Sequence, residues 1–313
     1  MGRAEDVLTG CSLQSADSRA ATRAAPTCVT PDPVSRPRWW QWLTILSIDA
    51  PVVCLLWQAL IARAARAPRR WPHLVVLALS IWLAYAADRW IEGWRLDSRR
   101  IRTQRHRFYQ RRRWLVAAAW IAIAAVDAAV ALTRLDERLL FRGAVLLAPV
   151  LAYLLSHQLV HRDRPWRAPK EIVVALLLTA GVAVFLSSSA GAGSLVAALG
   201  AFALVSFVNC ALISSWEREV DRAHGQTSLA LDSRHAARAI VWLPWIAAAA
   251  ALLLAAAGPA ASRVPAGCGA AAAFLLAAID EVEPVVGWAA AHVLADVALM
   301  TPVVPLLWWL IHR

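Results

Sequence analysis

Two short stretches carry side chains whose types and spacing could do chemistry: Asp88-Arg89-Trp90-Ile91-Glu92 and Glu217-Arg218-Glu219-Val220-Asp221. Each reads acidic-Arg-x-x-acidic, closes a long apolar run and precedes basic residues. On a helix, residues four apart share a face, so each stretch offers two carboxylates side by side. Carboxylates at a helix C-terminus face the negative end of the helix dipole. Two such pairs in an apolar protein imply that something positive sits between them. A divalent metal holding a diphosphate meets that demand. Breaking a carbon–oxygen bond to diphosphate needs the growing charge neutralised, and Mg²⁺ prefers carboxylate and phosphate oxygens while keeping waters. The expectation is that Asp88, Glu92, Glu217 and Asp221 are the catalytic and metal-binding residues, with Mg²⁺ as cofactor. Arg89, Arg105, Lys170 and Arg222 are expected to clamp the remaining diphosphate oxygens.

One such stretch alone signifies little, because its Arg usually bonds a carboxylate three residues on in a solvated face. Two of them at matching helix ends are a stronger sign of a site. Glu219 is expected to point outward. Asp127 and Asp296 are read as structural residues away from the site, and Asp280, Glu281 and Glu283 as an interfacial loop.

The elements that must position these residues are apolar. Of the 313 residues, 60% are hydrophobic, and apolar runs near 20 residues recur along most of the chain. The fold class expected is all-α: a polytopic membrane helical bundle of about nine transmembrane helices. In hydrocarbon every backbone polar group must be bonded internally, which favours helices, and the alternating ten-residue strands of a membrane barrel are absent. The expected spans run from Trp40 to Ala62, Trp71 to Trp94, Trp114 to Thr133, Leu139 to Ser156, Lys170 to Ser188, Leu195 to Trp216, Ala237 to Ala257, Ala266 to Ile279 and Val286 to Ile311. The eighth is the shortest. The first contains Asp49, an intramembrane carboxylate of the kind that usually faces a bundle interior. Gly225 is an expected helix stop. Residues 1–37 are polar and rich in Ser, Ala, Pro and Arg. They read as a disordered cytosolic tail rather than a signal peptide, leaving 38–313 as the transmembrane domain.

The net charge of +11 comes almost entirely from Arg, with Lys170 as the lone Lys. These residues lie between apolar spans, so membrane lipids and phosphorylated substrates are the expected partners, and nucleic acid is not. The five Cys show no CxxC spacing, so no disulfide framework or zinc site is read from them. Tryptophans such as Trp39-Trp40-Trp42 and Trp308-Trp309 fit interfacial belts. The loops after the second, fourth and sixth spans carry about seventeen Lys/Arg against about seven in the alternate loops. That bias predicts a cytosolic N-terminus and brings both acidic stretches to the cytosolic face, where Mg²⁺ and soluble phosphorylated substrates are found. Within the basic segment Arg95–Arg113, Thr103-Gln104-Arg105-His106-Arg107 is the part expected to meet an anionic substrate.

With this spacing and order, the chain resembles the UbiA superfamily of intramembrane prenyltransferases. That family's first motif reads Asn-Asp-x-x-Asp-x-x-x-Asp; here Ala84-Tyr85-x-x-Asp88-x-x-x-Glu92 occupies the place, with Arg89 after the middle Asp. Ala84 and Tyr85 replace the first two metal-binding side chains. The second motif, Asp-x-x-x-Asp followed by Gly and Thr or Ser, is matched by Glu217-x-x-x-Asp221, Gly225, Thr227 and Ser228. Asp49-Ala50-Pro51 resembles the family's Asp-Lys-Pro. The resemblance covers the chain from about residue 40 through helix count, order and motif spacing. It implies nine transmembrane helices and an enzyme of the inner (plasma) membrane. That enzyme would transfer an isoprenyl group from isoprenyl diphosphate to a hydrophobic or aromatic acceptor, with Mg²⁺ bound at the two motifs. The alternative is a non-catalytic protein on the same scaffold that binds a prenyl lipid or a protein partner. A transporter would call for discontinuous helices with paired Gly/Pro breaks, which the sequence does not suggest. A CDP-alcohol phosphotransferase would need an Asp-Gly-x-x-Ala-Arg pattern, which is absent.

Overall fold

In a computed structural model of the chain, the described residues are 36–95, 101–156, 169–186, 192–225 and 227–312. The compact unit is Arg36–Arg313. The expected N-terminal tail, and most of the basic loop from His157 to Lys170, lie outside the described residues.

Among the described residues the regular elements are all helical. In chain order they are α1 (Trp42–Ile45), α2 (Asp49–Ala64), α3 (Trp71–Arg95), α4 (Gln104–Arg111), α5 (Arg113–Arg134), α6 (Glu137–Leu155), α7 (Lys170–Val184), α8 (Ala192–Trp216), α9 (Arg218–His224), α10 (Leu229–Asp232), α11 (Arg234–Ala239), α12 (Leu243–Ala257), α13 (Ala260–Val286), α14 (Trp288–Ala298) and α15 (Val303–Ile311). Six helices are long and apolar enough to cross a membrane, and up to eight segments are if each of two bent pairs is one span. α7, at 15 residues, falls short of that length but coincides with the fifth apolar run. This is a multi-pass integral membrane protein.

The eighth run is longer than the sequence suggested. α13 spans 27 residues through Pro265 and Pro284 and ends at Gly287, whose φ of 82° few other residues adopt. Asp280, Glu281 and Glu283 are therefore helical, not an interfacial loop. Buried Asp280 accepts from the indole N–H of Trp216 at 2.9 Å. Discontinuous helices are also present, against expectation. The first run bends by 77° between Ile45 and Asp49, and the ninth by 40° between Ala298 and Val303. The first bend passes through Ser47 at φ 55°, and Asp49 stands in the first turn of α2, where the helix dipole favours a carboxylate.

α8 is the central helix. It packs against α13, α7, α12, α14 and α2, and its run from Ala198 to Leu212 joins Trp57, Ala272, Ala273 and Leu276 in the main core. Ala and Gly at these contacts let backbones approach closely, as van der Waals packing in hydrocarbon requires. At Gly269 an added Cβ would sit 3.6 Å from that of Ala201. By contrast, none of the apolar window of α6 is buried, and Phe141 and Leu151 point outward, a face suited to lipid. Buried and part-buried indoles find backbone acceptors: Trp57 donates to Leu299 O, Trp82 to Leu46 O and Trp120 to Leu83 O. Asp127 does hold structure, accepting from Ser80 Oγ at 2.8 Å. Cys54, Cys210 and Cys268 are free thiols.

Candidate functional site

A cavity of about 350 Å³ opens among α2, α3, α6, α7, α8 and α14. Asp88, Arg89, Glu92, Arg105, Lys170, Glu217 and Asp221 all line it. Four separate elements deliver them. α3 runs unbroken to Arg95 and presents Asp88, Arg89 and Glu92. α8 ends at Trp216, but the backbone pattern continues through Ile213 O, Glu217 and Asp221 N, so Glu217 and Asp221 keep their one-turn relation. Gly225 then stops α9 at φ 67°, as the sequence led one to expect. Lys170 begins α7.

The fourth element is α4. Thr103 caps it, accepting from His106 N, and Gly93 of α3 lets it lie close, since a Cβ there would come within 3.3 Å of Gln110 N. Successive residues of α4 then reach the two acidic stretches. Arg105 Nη2 donates to Glu217 Oε2 at 2.6 Å, and His106 Nε2 lies 2.7 Å from Glu92 Oε2. Thr103 Oγ1 bonds His106 Nδ1, fixing the ring. Arg89 also turns inward to Glu92, at 3.3 Å.

The second stretch has further partners. His292 Nδ1 lies 2.8 Å from Glu217 Oε1, and Lys170 Nζ lies 3.5 Å from Asp221 Oδ2. Burial works against the charge on Glu217, yet Arg105 and His292 outweigh it and hold this carboxyl well below the ordinary range. Asp221 goes the other way. Burial raises its pKa, Lys170 opposes only in part, and Glu217 and Glu92 add to the rise. Burial lowers the pKa of His106, with Glu92 pulling it back.

Arg222 is not brought to the site: it is exposed and does not line the cavity. Its neighbour Asp221 faces inward, and one step along a helix turns a side chain by about 100°. Glu219 is exposed, as expected. Asp296, expected to be away from the site, lines the cavity with Asp49, Asn209 and His292. Sequence reasoning also missed Glu171, which is buried and accepts from Leu229 N at 3.1 Å. The available signal was a polar group inside an apolar run, which is costly and marks function or structure. His292 and Asp296, four apart in the ninth run, carry it.

The lining holds seven carboxylates (Asp49, Asp88, Glu92, Glu171, Glu217, Asp221, Asp296) against Arg89, Arg105 and Lys170. That excess calls for added positive charge, since buried charges must be paired. Much of the remaining wall is apolar, including Leu77, Ile81, Leu147, Val150, Leu178 and Phe185. A Mg²⁺ ion fits the donor set of the two stretches, because their carboxylate oxygens are hard and in surplus. However, Glu92, Glu217 and Asp221 already have basic partners from this chain. A Mg²⁺ bound here would lean on one or two carboxylates and take phosphate oxygens for the rest, its usual habit.

No protein-family model and no curated protein sequence matches the chain. Among solved structures, the chain is similar to the apo structure of a UbiA homolog from Aeropyrum pernix K1, with a TM-score of 0.54 and 18% identity over 82% of this chain and 98% of that one. The two share a fold.

Proposed function

With the fold of a UbiA homolog as the premise, we propose that the chain is an integral-membrane prenyltransferase. It moves an isoprenyl group from isoprenyl diphosphate to an aromatic or lipid acceptor, with Mg²⁺ at the two acidic stretches. The observation that supports this best is a cavity lined both by charged groups from the two stretches and by apolar side chains of α3, α6 and α7. An amphiphile with an anionic head and a hydrocarbon tail matches both parts.

On this reading, Arg89, Arg105 and Lys170 bind the diphosphate oxygens, and Asp88, Glu92, Glu217 and Asp221 orient the head group and its counter-ion. Mg²⁺, when bound, supplies positive charge to the departing diphosphate. His106, 2.7 Å from Glu92, holds that carboxylate in place. The apolar walls of α3, α6 and α7 receive the tail and exclude water, which would otherwise compete for the allyl carbon. The cavity faces the cytosol of the inner (plasma) membrane, given the Lys/Arg bias of the loops.

The test uses the purified full chain with prenyl diphosphates of several lengths, a panel of quinone-precursor and lipid acceptors, and Mg²⁺. Acceptor-dependent diphosphate release is expected, and it should stop on chelation. A protein that binds prenyl diphosphate but never releases diphosphate with any acceptor overturns the enzyme reading in favour of a non-catalytic lipid-binding one.

A further inference from the structure

Four further polar side chains line the same cavity, and the diphosphate chemistry uses none of them. Asp49 is in the first turn of α2, Asn209 is in α8, and His292 and Asp296 are one turn apart on α14. One ligand atom each from Asp49, His292 and Asp296 falls within 4.8 Å of the others. We propose that these three residues, with Asn209, form a second cation site that takes one divalent transition-metal ion such as Mn²⁺ or Zn²⁺.

Asn209 is 6% exposed. Its amide nitrogen donates to Asp296 Oδ1 at 3.2 Å, which leaves its Oδ1 buried without a partner. Asp296 Oδ2 is likewise buried without a donor. The Asp49 and Asp296 carboxyls each place an oxygen within 4.8 Å of the other, and two ionised carboxylates have no proton to share. His292 completes the set. Its Nδ1 lies 2.8 Å from Glu217 Oε1, and Arg105 Nη1 stands 3.3 Å from Nδ1 and 3.5 Å from Nε2. With Nδ1 turned to Glu217, Nε2 is the ring nitrogen left to face Asp296. Nε2 lies 3.7 Å from Asp296 Oδ2, too far for a hydrogen bond. Two carboxylates and an imidazole therefore converge, and Asp296 Oδ2 among them and the neighbouring Asn209 Oδ1 are buried acceptors with no donor.

A proton shared between the carboxyls could relieve this in part. A divalent ion would instead take one ligand atom each from Asp49, His292 and Asp296, with Asn209 bonded to Asp296 beside them. The link from Glu217 to His292 Nδ1 is then the carboxylate–histidine contact that orients metal-bound imidazoles. A donor set that includes imidazole suits Zn²⁺ better than Mg²⁺, and its carboxylates also admit Mn²⁺. The site is thus distinguished from the diphosphate site by metal preference.

The experiment titrates MnCl₂ or ZnCl₂ into the metal-stripped full chain with no diphosphate present. Bound metal is read by elemental analysis, and Mn²⁺ also by electron paramagnetic resonance. One equivalent is expected, and a tenfold excess of Mg²⁺ should not displace it. Asp296→Asn and His292→Gln should each weaken binding at least tenfold. Asn209→Asp, which preserves size and adds charge, should tighten it, and so keeps the test open if the other variants misfold. Asp88→Asn should leave this titration unchanged while removing Mg²⁺-dependent diphosphate binding, so the two sites fail separately. Wild-type protein that binds neither ion at millimolar concentration overturns the proposal in favour of shared protons. So does a bound equivalent that survives both Asp296→Asn and His292→Gln.

Discussion

The two acidic stretches have the same spacing but different surroundings. In the first, Asp88 is half-buried and Glu92 buried. Arg89 between them folds back onto Glu92, so this stretch carries its own cation into the cavity. In the second, Glu217 and Asp221 are both buried, Arg218 does not line the cavity, and the cations come from α4 and α7. The second stretch is also uneven. Glu217 has two basic partners at 2.6 and 2.8 Å, whereas Asp221 has Lys170 at 3.5 Å and a raised pKa. Spacing sets which carboxylates can share a face, but neighbours decide which of them still needs a counter-charge. By that measure the place for an incoming cation is beside Asp221.

The largest effect should come from removing that place. Asp221→Asn and Asp88→Asn keep side-chain size and take away charge. Each is expected to lower Mg²⁺-dependent binding or turnover of a prenyl diphosphate at least a hundredfold, with detergent stability preserved. Asp221→Asn should if anything raise stability without metal, because it relieves crowding with Glu217. Full Mg²⁺-dependent activity in both variants would sink the proposed function.

The next effect sharpens the contrast in partners. Arg105 and Glu217 form a buried pair, with side chains 10% and 4% exposed. Breaking such a pair leaves an uncompensated buried charge, at a cost of about 3–5 kcal/mol. Arg105→Ala should therefore lower the unfolding temperature of the apo protein markedly, and Arg105→Ala combined with Glu217→Gln should recover most of the loss. A single variant as stable as wild type would mean that α4 does not hold the two stretches together.

A smaller effect is expected from pH. Burial lowers His106 below its ordinary 6.5, so between its folded value and 6.5 the unfolded chain holds more protons, and stability falls as pH drops through that window. His106→Gln should flatten this slope. Asp221 carries the opposite sign, because its raised folded value makes stability fall as pH rises from 3.8. Detergent melting curves from pH 4 to 8 on wild type and both single variants would separate the two.

Much of this arrangement was legible in the sequence, for physical reasons. Apolar runs near 20 residues with basic flanks leave few alternatives to helices in a bilayer, and one-turn carboxylate spacing survives any detail of packing. Gly225 was legible because a positive φ favours glycine. What was not legible depends on rotation and on contacts between distant runs. The length of α13 was hidden by its two prolines, which tertiary packing tolerates in a membrane helix. The bend at Ser47 has neither Gly nor Pro at its turning point. His292 and Asp296 sit in the last run, far from both stretches in the chain, and only the packing of α14 on α8 and α2 brings them to the cavity.

The smallest expected effect tests rotation directly. Arg222 is next to Asp221 and, by sequence alone, as good a diphosphate clamp as Arg105. It is exposed, whereas Arg105 is buried and turned into the cavity. An exposed charge is screened within about 8 Å at physiological salt and has little hold on a ligand in a buried pocket. Arg222→Ala is expected to change prenyl diphosphate affinity less than twofold at physiological ionic strength, and Glu219→Gln, also exposed, should match it. Arg105→Lys, which keeps the charge but loses the planar fork, should weaken binding more than either, because geometry as well as charge matters in the cavity. If Arg222→Ala instead weakened binding as much as Arg105→Lys, α9 itself would have to turn so that Arg222 swings inward when diphosphate binds, and the second stretch would then clamp its ligand from both sides.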